Sequence, residues 1–298
     1  MSFSANAKSS VSTIPPERDC CAQAQLRAML SFSTAFGENG LKFITETPEV
    51  SDIFTSLLLI CADIAATPEI SEARNITTYK TEITDKEELD KLFALFEGKE
   101  NIHLVCKHLF GCKQCAIAYI RGAFLAAGFV NSPEHSYHLE ISSPHADLAV
   151  DTAVLLSERI GMPKISARKS SQIIYYRESA LVEDFLTLIG ATKAAMDIMS
   201  EQIKRELRNQ ANRQSNFEIA NLGKTIDAAA AQINAINELK SKGIFEEMTP
   251  QMQNLANLRV KHDDVSQKEL GEMMQPPISK SQVSKIFAKI MKFHELYK

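Results

Sequence analysis

The chain is 298 residues long and 45% hydrophobic, with 33 Lys/Arg against 37 Asp/Glu and a formal net charge of -4. That apolar content excludes a disordered polyelectrolyte, and the length calls for two domains or one large one. Trp is absent and only 7% of residues are aromatic, so the cores are expected to be aliphatic. The charge is uneven. From Lys193 onward sixteen Lys/Arg face thirteen Asp/Glu, whereas the first 192 residues hold seventeen against twenty-four. A basic end on an acidic body is the electrostatic footprint of a polyanion partner. The opening MSFSANAKSSVS is polar and lacks the apolar core of a signal peptide. The longest apolar run, Leu57 to Ala66, is broken by Asp63 and is too short to span a bilayer. The expectation is a cytoplasmic protein with no membrane partner, whose six cysteines are reduced thiols.

The first 190 residues repeat. Gln25-Leu-Arg-Ala-Met-Leu30 resembles Tyr119-Ile-Arg-Gly-Ala-Phe124, and both read as helix starts with Arg in third place. Alternating stretches follow, Leu41, Phe43 and Thr45 in one copy and Tyr137, Leu139 and Ile141 in the other, which is the period of a half-buried strand. Thr47-Pro48 and Ser143-Pro144 each set a hydroxyl before a proline and so predict helix starts, running to about Ala65 and Ile160. Strand-rich stretches come next, over 75–84 and 164–177. Amphipathic helices around Leu92, Phe93 and Leu95, and around Phe185, Leu186 and Leu188, close each copy. Thr84 with Glu87 predicts a capping box for the first of these. Each copy thus reads helix, strands, helix, strands, helix, at a spacing of roughly 93 to 96 residues.

Residues 192–243 read as a helical linker. Met196, Met199, Ile203 and Leu207 form one apolar stripe, while Lys204, Arg205, Arg208 and Arg213 lie off it as a solvated face or as phosphate contacts. The tail over 244–298 is the most informative segment. Thr249-Pro250 opens a helix to about Val260, and His262, Asp263 and Asp264 make a polar turn. Ser266 with Glu269 is a capping box for a short helix through Met274. Pro276-Pro277 ends it, and Ser279 with Gln282 opens a longer helix toward Leu296. A short helix, a tight turn and a longer helix with lysines and small polar residues at its start is the helix-turn-helix pattern. Its second helix would lie in the major groove of double-stranded DNA. Ser281, Gln282 and Ser284 would face base edges, Gln282 with the geometry for adenine, and Lys280, Lys285 and Lys289 would face phosphates or guanine. Val283, Ile286 and Ile290 would pack inward onto Leu270 and Met273.

Other constellations carry less. Cys106, His108, Cys112 and Cys115 lie close in sequence and include a CxxC. Their spacing is not that of a zinc ribbon or finger, so they read as ordinary thiols, with metal binding left open. Cys20 and Cys21 stand side by side at a helix start. His135, His138 and His145 are scattered over a turn and a strand and read as surface residues. No nucleotide-binding or Ser-His-Asp signature stands out, and no cofactor is expected.

Taken together, the MSFS opening, Pro15-Pro16 and Asp19-Cys20-Cys21 are similar to the opening of the WhiA family of bacterial regulators. So is the central Tyr119-Ile-Arg-Gly-Ala-Phe-Leu-Ala-Ala-Gly128 with Ser136-Tyr-His-Leu-Glu140. The linker Asn212-Arg-Gln-Ser-Asn-Phe-Glu-Ile-Ala-Asn-Leu-Gly-Lys-Thr225 resembles that family too, as do Leu270-Gly271, Pro276-Pro277 and Ser279-Lys-Ser281. Phe217 departs from the Cys that many relatives place there, and the terminal helix is less Arg-rich. The resemblance implies an α+β fold: a pseudo-symmetric, duplicated LAGLIDADG-like (αββαββα)x2 domain over 1–191, with repeats about 20–98 and 115–191, and an all-α helix-turn-helix domain. It implies a nucleoid-associated transcriptional regulator tied to sporulation, cell division or chromosome segregation.

LAGLIDADG nucleases hold divalent metals on a carboxylate at the end of each of two paired helices. Read through that motif, the acid positions are Ser33 and Ala127, neither of which can neutralise a cation. The expectation is a scaffold without catalytic activity. Gly122 and Ala126 allow a close helix approach, whereas Ala28 and Phe32 suggest looser contact from the first copy. Lys164, Arg168 and Lys169 are candidates for DNA contact from the strands. The alternatives are an N-terminal domain that binds a protein partner or small ligand and gates DNA binding, and a residual metal-dependent nuclease.

Overall fold

Strict alternation of buried residues in two stretches, 41–45 and 139–143, builds two sheets of one design. The computed structural model describes residues 2–73 and 75–297. It separates into two compact units, Met1–Arg205 and Glu206–Lys298. The first begins with α1 (Phe3–Ser12), whose N-cap Ser2 accepts from the Ala5 amide. The polar opening gave no sign of this helix, because only one of its sides is buried, through Ser4, Ala7, Val11 and Ser12.

The first repeat follows as α2 (Asp19–Ser31), β1 (Ala35–Gly37), β2 (Gly40–Thr45), α3 (Pro48–Ala62), β3 (Glu69–Ala73), β4 (Ile76–Ile83) and α4 (Lys86–Ala94). The second is α5 (Cys115–Ala127), β5 (Gly128–Val130), β6 (Leu139–Ser143), α6 (Ala146–Ser157), β7 (Lys164–Arg168), β8 (Ser171–Tyr176) and α7 (Ser179–Ile189). Both sheets are antiparallel, in the orders β1-β2-β4-β3 and β5-β6-β8-β7. Inward residues face each other at equivalent places: Leu41 opposite Ile83 in one sheet, Leu139 opposite Tyr176 in the other. Phe43 stacks on Phe54 with ring centroids 4.0 Å apart, tying the first sheet to α3.

Several local expectations change. The Gln25–Leu30 and Tyr119–Phe124 segments lie inside α2 and α5 rather than at their starts. Tyr137 precedes its strand. Pro48 does begin α3, but α6 begins at Ala146, and the Ser143 hydroxyl turns to the His145 carbonyl instead. Asp85, not Thr84, caps α4: its carboxylate accepts from the amides of Glu87 and Glu88. A carboxylate at a helix N-terminus also complements the helix dipole, which a threonine hydroxyl cannot do.

The two motif arginines turn out to be clasps. Arg27 donates to the Leu95 carbonyl at the end of α4, and Arg121 to the Ile189 carbonyl at the end of α7, each 68 residues on. These carbonyls at helix ends lack partners within their helices, so each guanidinium satisfies one and closes its repeat. The helices α2 and α5 meet closely. A Cβ at Gly122 would overlap the Gln25 carbonyl oxygen and come within 3.0 Å of the Ala28 Cβ. The first copy therefore contributes as intimate a contact as the second, through Ala28.

A single helix, α8 (Thr192–Ser241), follows. Its Met196, Met199, Ile203 and Leu207 stripe is exposed rather than packed. Arg205 is held by the Pro133 and Glu134 carbonyls and lies 4.7 Å from the Tyr137 ring centroid, which removes it from the phosphate-contact candidates.

The second unit packs the end of α8, through Ile236 and Leu239, with α9 (Pro250–Lys261), α10 (Gln267–Met273) and α11 (Lys280–Leu296). Its core joins Leu255, Leu270, Val283, Ile286, Phe287 and Ile290. Met274 enters this core, and Met273, assigned there from the sequence, is exposed, because α10 ends one residue earlier than its spacing suggested. Among the described residues, no helix is long and apolar enough to cross a membrane.

Candidate nucleic-acid interface

Two capping boxes define the helix pair. The Ser266 hydroxyl accepts from the Glu269 amide at 3.3 Å while the Glu269 carboxylate accepts from the Ser266 amide at 2.9 Å. Ser279 and Gln282 repeat the arrangement at the start of α11, at 3.3 and 2.9 Å. Each satisfies two backbone donors that a helix start otherwise leaves bare. The turn between the helices is held by the Ile278 amide donating to the Gly271 carbonyl at 2.9 Å. Any side chain at 271 would run into the Ile278 carbonyl oxygen and crowd Val283. Gly271→Ala is expected to destabilise the second unit by about 2 kcal/mol through this overpacking. Urea denaturation followed by far-UV circular dichroism would register it, and an unchanged midpoint would refute the close packing.

One buried cation orients the pair, and sequence reasoning passed over it. Arg259 is 1% exposed. It donates to the Val265 carbonyl at 2.6 Å and to the Gln232 side chain at 3.2 Å, and lies 5.5 Å from the centre of the Phe287 ring. Burial pulls its pKa below that of a free guanidinium, with the Asp263 charge opposing. The signal was present as an Arg one turn before a polar loop, but nothing local distinguishes such a residue from a surface one.

All six residues assigned to DNA, Lys280, Ser281, Gln282, Ser284, Lys285 and Lys289, are exposed. The core face of α11 is Val283, Ile286, Phe287 and Ile290. The 3.6-residue period therefore sets Ser281, Lys285, Ala288 and Lys292 along the middle of the outward face, with Ser284 and Lys289 beside them and Lys280 at the rim where the helix starts. Lys292, left out of the sequence-based set, belongs to this line. Gln282 sits toward the rim, and its Oε1 also accepts from the Ser279 hydroxyl at 3.1 Å. Capping occupies the acceptor end of this amide, which bidentate adenine recognition would need.

In the first unit, the two positions that the motif reading assigned to metal-binding acids come together. Ser33, just past α2, and Ala127, the last residue of α5, line one cleft of about 250 Å³. Its side-chain oxygen donors are the hydroxyls of Ser33, Thr34, Ser142 and Ser171, and among the described residues no carboxylate lines it. Ser33 spends its hydroxyl on the Ala35 carbonyl at 3.1 Å. Hard divalent ions bind carboxylate-rich oxygen sets, so these residues do not fit such a metal. On the strands, Lys164 and Lys169 are exposed, but Arg168 is engaged by Glu140 through two hydrogen bonds of 2.9 and 3.1 Å. His103 and His145 stack at 3.5 Å, and burial lowers both from the ordinary imidazole value.

The predicted cysteine grouping is redrawn. Cys106 turns to the Asn101 carbonyl and His108 to Glu97, while Cys112 and Cys115 meet Cys20 and Cys21. Burial opposes ionisation of Cys112, but hydrogen bonds led by that from Cys21 outweigh it and lower the thiol to about 7.

Fold and interface define a helix-turn-helix protein carrying a duplicated LAGLIDADG-like unit. The family model described as the WhiA LAGLIDADG-like domain matches residues 116–208, and that of the WhiA C-terminal HTH domain matches residues 211–294. The chain belongs to the WhiA family. Similar proteins include the "Probable cell division protein WhiA" of Desulfitobacterium hafniense, 34% identical and covering 97% of this chain and 94% of that protein. That of Syntrophomonas wolfei is 31% identical over 95% of each. Among solved structures, full-length WhiA from Thermatoga maritima matches in fold with a TM-score of 0.61 at 19% identity, covering 99% of this chain and 98% of that one.

Proposed function

We propose that this chain is a sequence-specific, DNA-binding transcriptional regulator acting in cell division or sporulation, and that its LAGLIDADG-like unit is catalytically inactive. The observation that carries the reading is the outward face of α11. Four lysines and three small or amide side chains are displayed on a helix whose opposite face is fully committed to the core. In this role Lys280, Lys285, Lys289 and Lys292 contact phosphates or guanine, and Ser281 and Ser284 meet base edges. Gln282 aligns the helix start and offers its amide nitrogen. The role in division is carried over from the names of the relatives. Inactivity rests on the hydroxyl-lined cleft, which offers a hard cation no negative charge.

Incubating the full chain with supercoiled plasmid in magnesium or manganese tests both halves. The expected result is retarded DNA with no nicked or linear product. Metal-dependent nicking by the purified chain would overturn the inactive assignment, and absence of retardation at low salt would overturn the regulator assignment.

A further inference from the structure

The α2–α5 pair that has lost carboxylates at one end carries four thiols at the other. The Sγ atoms of Cys20, Cys21, Cys112 and Cys115 all lie within 4.8 Å of one another. Cys112 is central, at 3.7 Å from Cys20, 3.5 Å from Cys21 and 3.6 Å from Cys115. Zinc–sulfur bonds of about 2.3 Å in a tetrahedron set the sulfurs about 3.8 Å apart, so these spacings match a single four-coordinate ion. They are well beyond a disulfide bond of about 2.05 Å, and all four cysteines are free.

The surroundings are shaped for the cluster. Cys21 and Cys115 are buried, while Cys20 and Cys112 are half-buried and leave a path for an ion. A Cβ at Gly111 would press to 3.0 Å of the Cys20 Cβ and 3.3 Å of its sulfur, so a residue without a side chain stands where the loop passes over that thiol. Two guanidiniums act on the group electrostatically: the buried Arg27 on Cys115, after Cys106, and the half-buried Arg121 on Cys21, after Glu17. Glu17 also faces Arg121.

We propose that Cys20, Cys21, Cys112 and Cys115 are a tetrathiolate site for one zinc ion that ties the two repeats together. Binding releases the four thiol protons to solvent, and Zn²⁺ with four thiolates leaves a charge of -2, which Arg27 and Arg121 offset. Soft sulfur donors and tetrahedral spacing favour zinc over the hard cations that the lost carboxylates would have held.

The test is metal analysis of the untagged full chain, purified in reducing buffer without chelators. The expected result is about one zinc ion per chain. Replacement by cobalt(II) should give intense thiolate-to-metal charge-transfer bands and the visible bands of a tetrahedral centre. Cys61→Ser and Cys106→Ser should keep the metal, whereas Cys20→Ser and Cys115→Ser should lose it. Should either of the latter fail to fold, the cobalt spectrum of the unmodified chain still decides. The proposal is overturned if that chain takes up no zinc under reducing conditions, if iron occupies the site instead, if its cobalt form lacks charge-transfer bands, or if the intact mass shows these cysteines joined as disulfides in the chain as isolated.

Discussion

Replacing Lys280 and Lys285 by alanine is expected to abolish retention of DNA under conditions that retard it with the unmodified chain. Both side chains are exposed on α11 and neither enters the core. Two charged contacts of roughly 1.5 kcal/mol each amount to about a hundredfold in affinity. The slope of log affinity against log salt should fall by about 0.9 for each phosphate contact removed, which separates phosphate contacts from a general loss of fold. Stability should stay within about 0.5 kcal/mol, as expected for surface substitutions. An electrophoretic titration at several salt concentrations gives the answer. An unchanged affinity together with an unchanged slope would mean that these lysines only solvate the helix.

Gly122→Ala should have the largest effect on the first unit. The added methyl would overlap the Gln25 carbonyl of α2 and press on Ala28. Both helices are buried along this contact, and backbone cannot yield as a side-chain tip can. A loss of about 3 kcal/mol follows from overpacking. Thermal unfolding monitored by circular dichroism should show the first unit melting well below its normal temperature. A melting temperature within a degree or so would mean that the helices separate freely. Because Gly122 belongs to the first unit and stands about two turns along α5 from Cys115, DNA retention by folded protein and metal content measured at low temperature should survive.

Features written in short stretches of sequence were legible. The Ser266/Glu269 and Ser279/Gln282 boxes are each four residues long, and both form as the residues dictate. Alternation in Leu41, Phe43 and Thr45 likewise gave the buried face of β2. The errors at Thr84 and Met273 arose where a neighbour caps or packs instead, whereas at Ser143 the hydroxyl turns to the His145 carbonyl and α6 starts two residues later without a side-chain cap. The thiol group was not legible because its members come from chain segments about 90 residues apart. Proximity in sequence pointed instead to Cys106 and His108. One signal was available: the register that carries Arg27 onto Arg121 also carries Cys21 onto Cys115. The dual duty of Gln282 was hidden for a different reason. A capping box and a base-reading glutamine ask for the same residue at the same helical position.

The arginine clasps bear on how the first unit is made. Arg27 and its acceptor at Leu95 both leave the ribosome before any of α5 does, so the earlier copy can close while its twin is still being translated. Its α2 surface at Gln25 and Ala28 then stays bare until Gly122 arrives, and for that interval a nascent polypeptide displays a sticky seam, the stage at which chaperone capture or mispairing with a neighbouring nascent chain is most favoured.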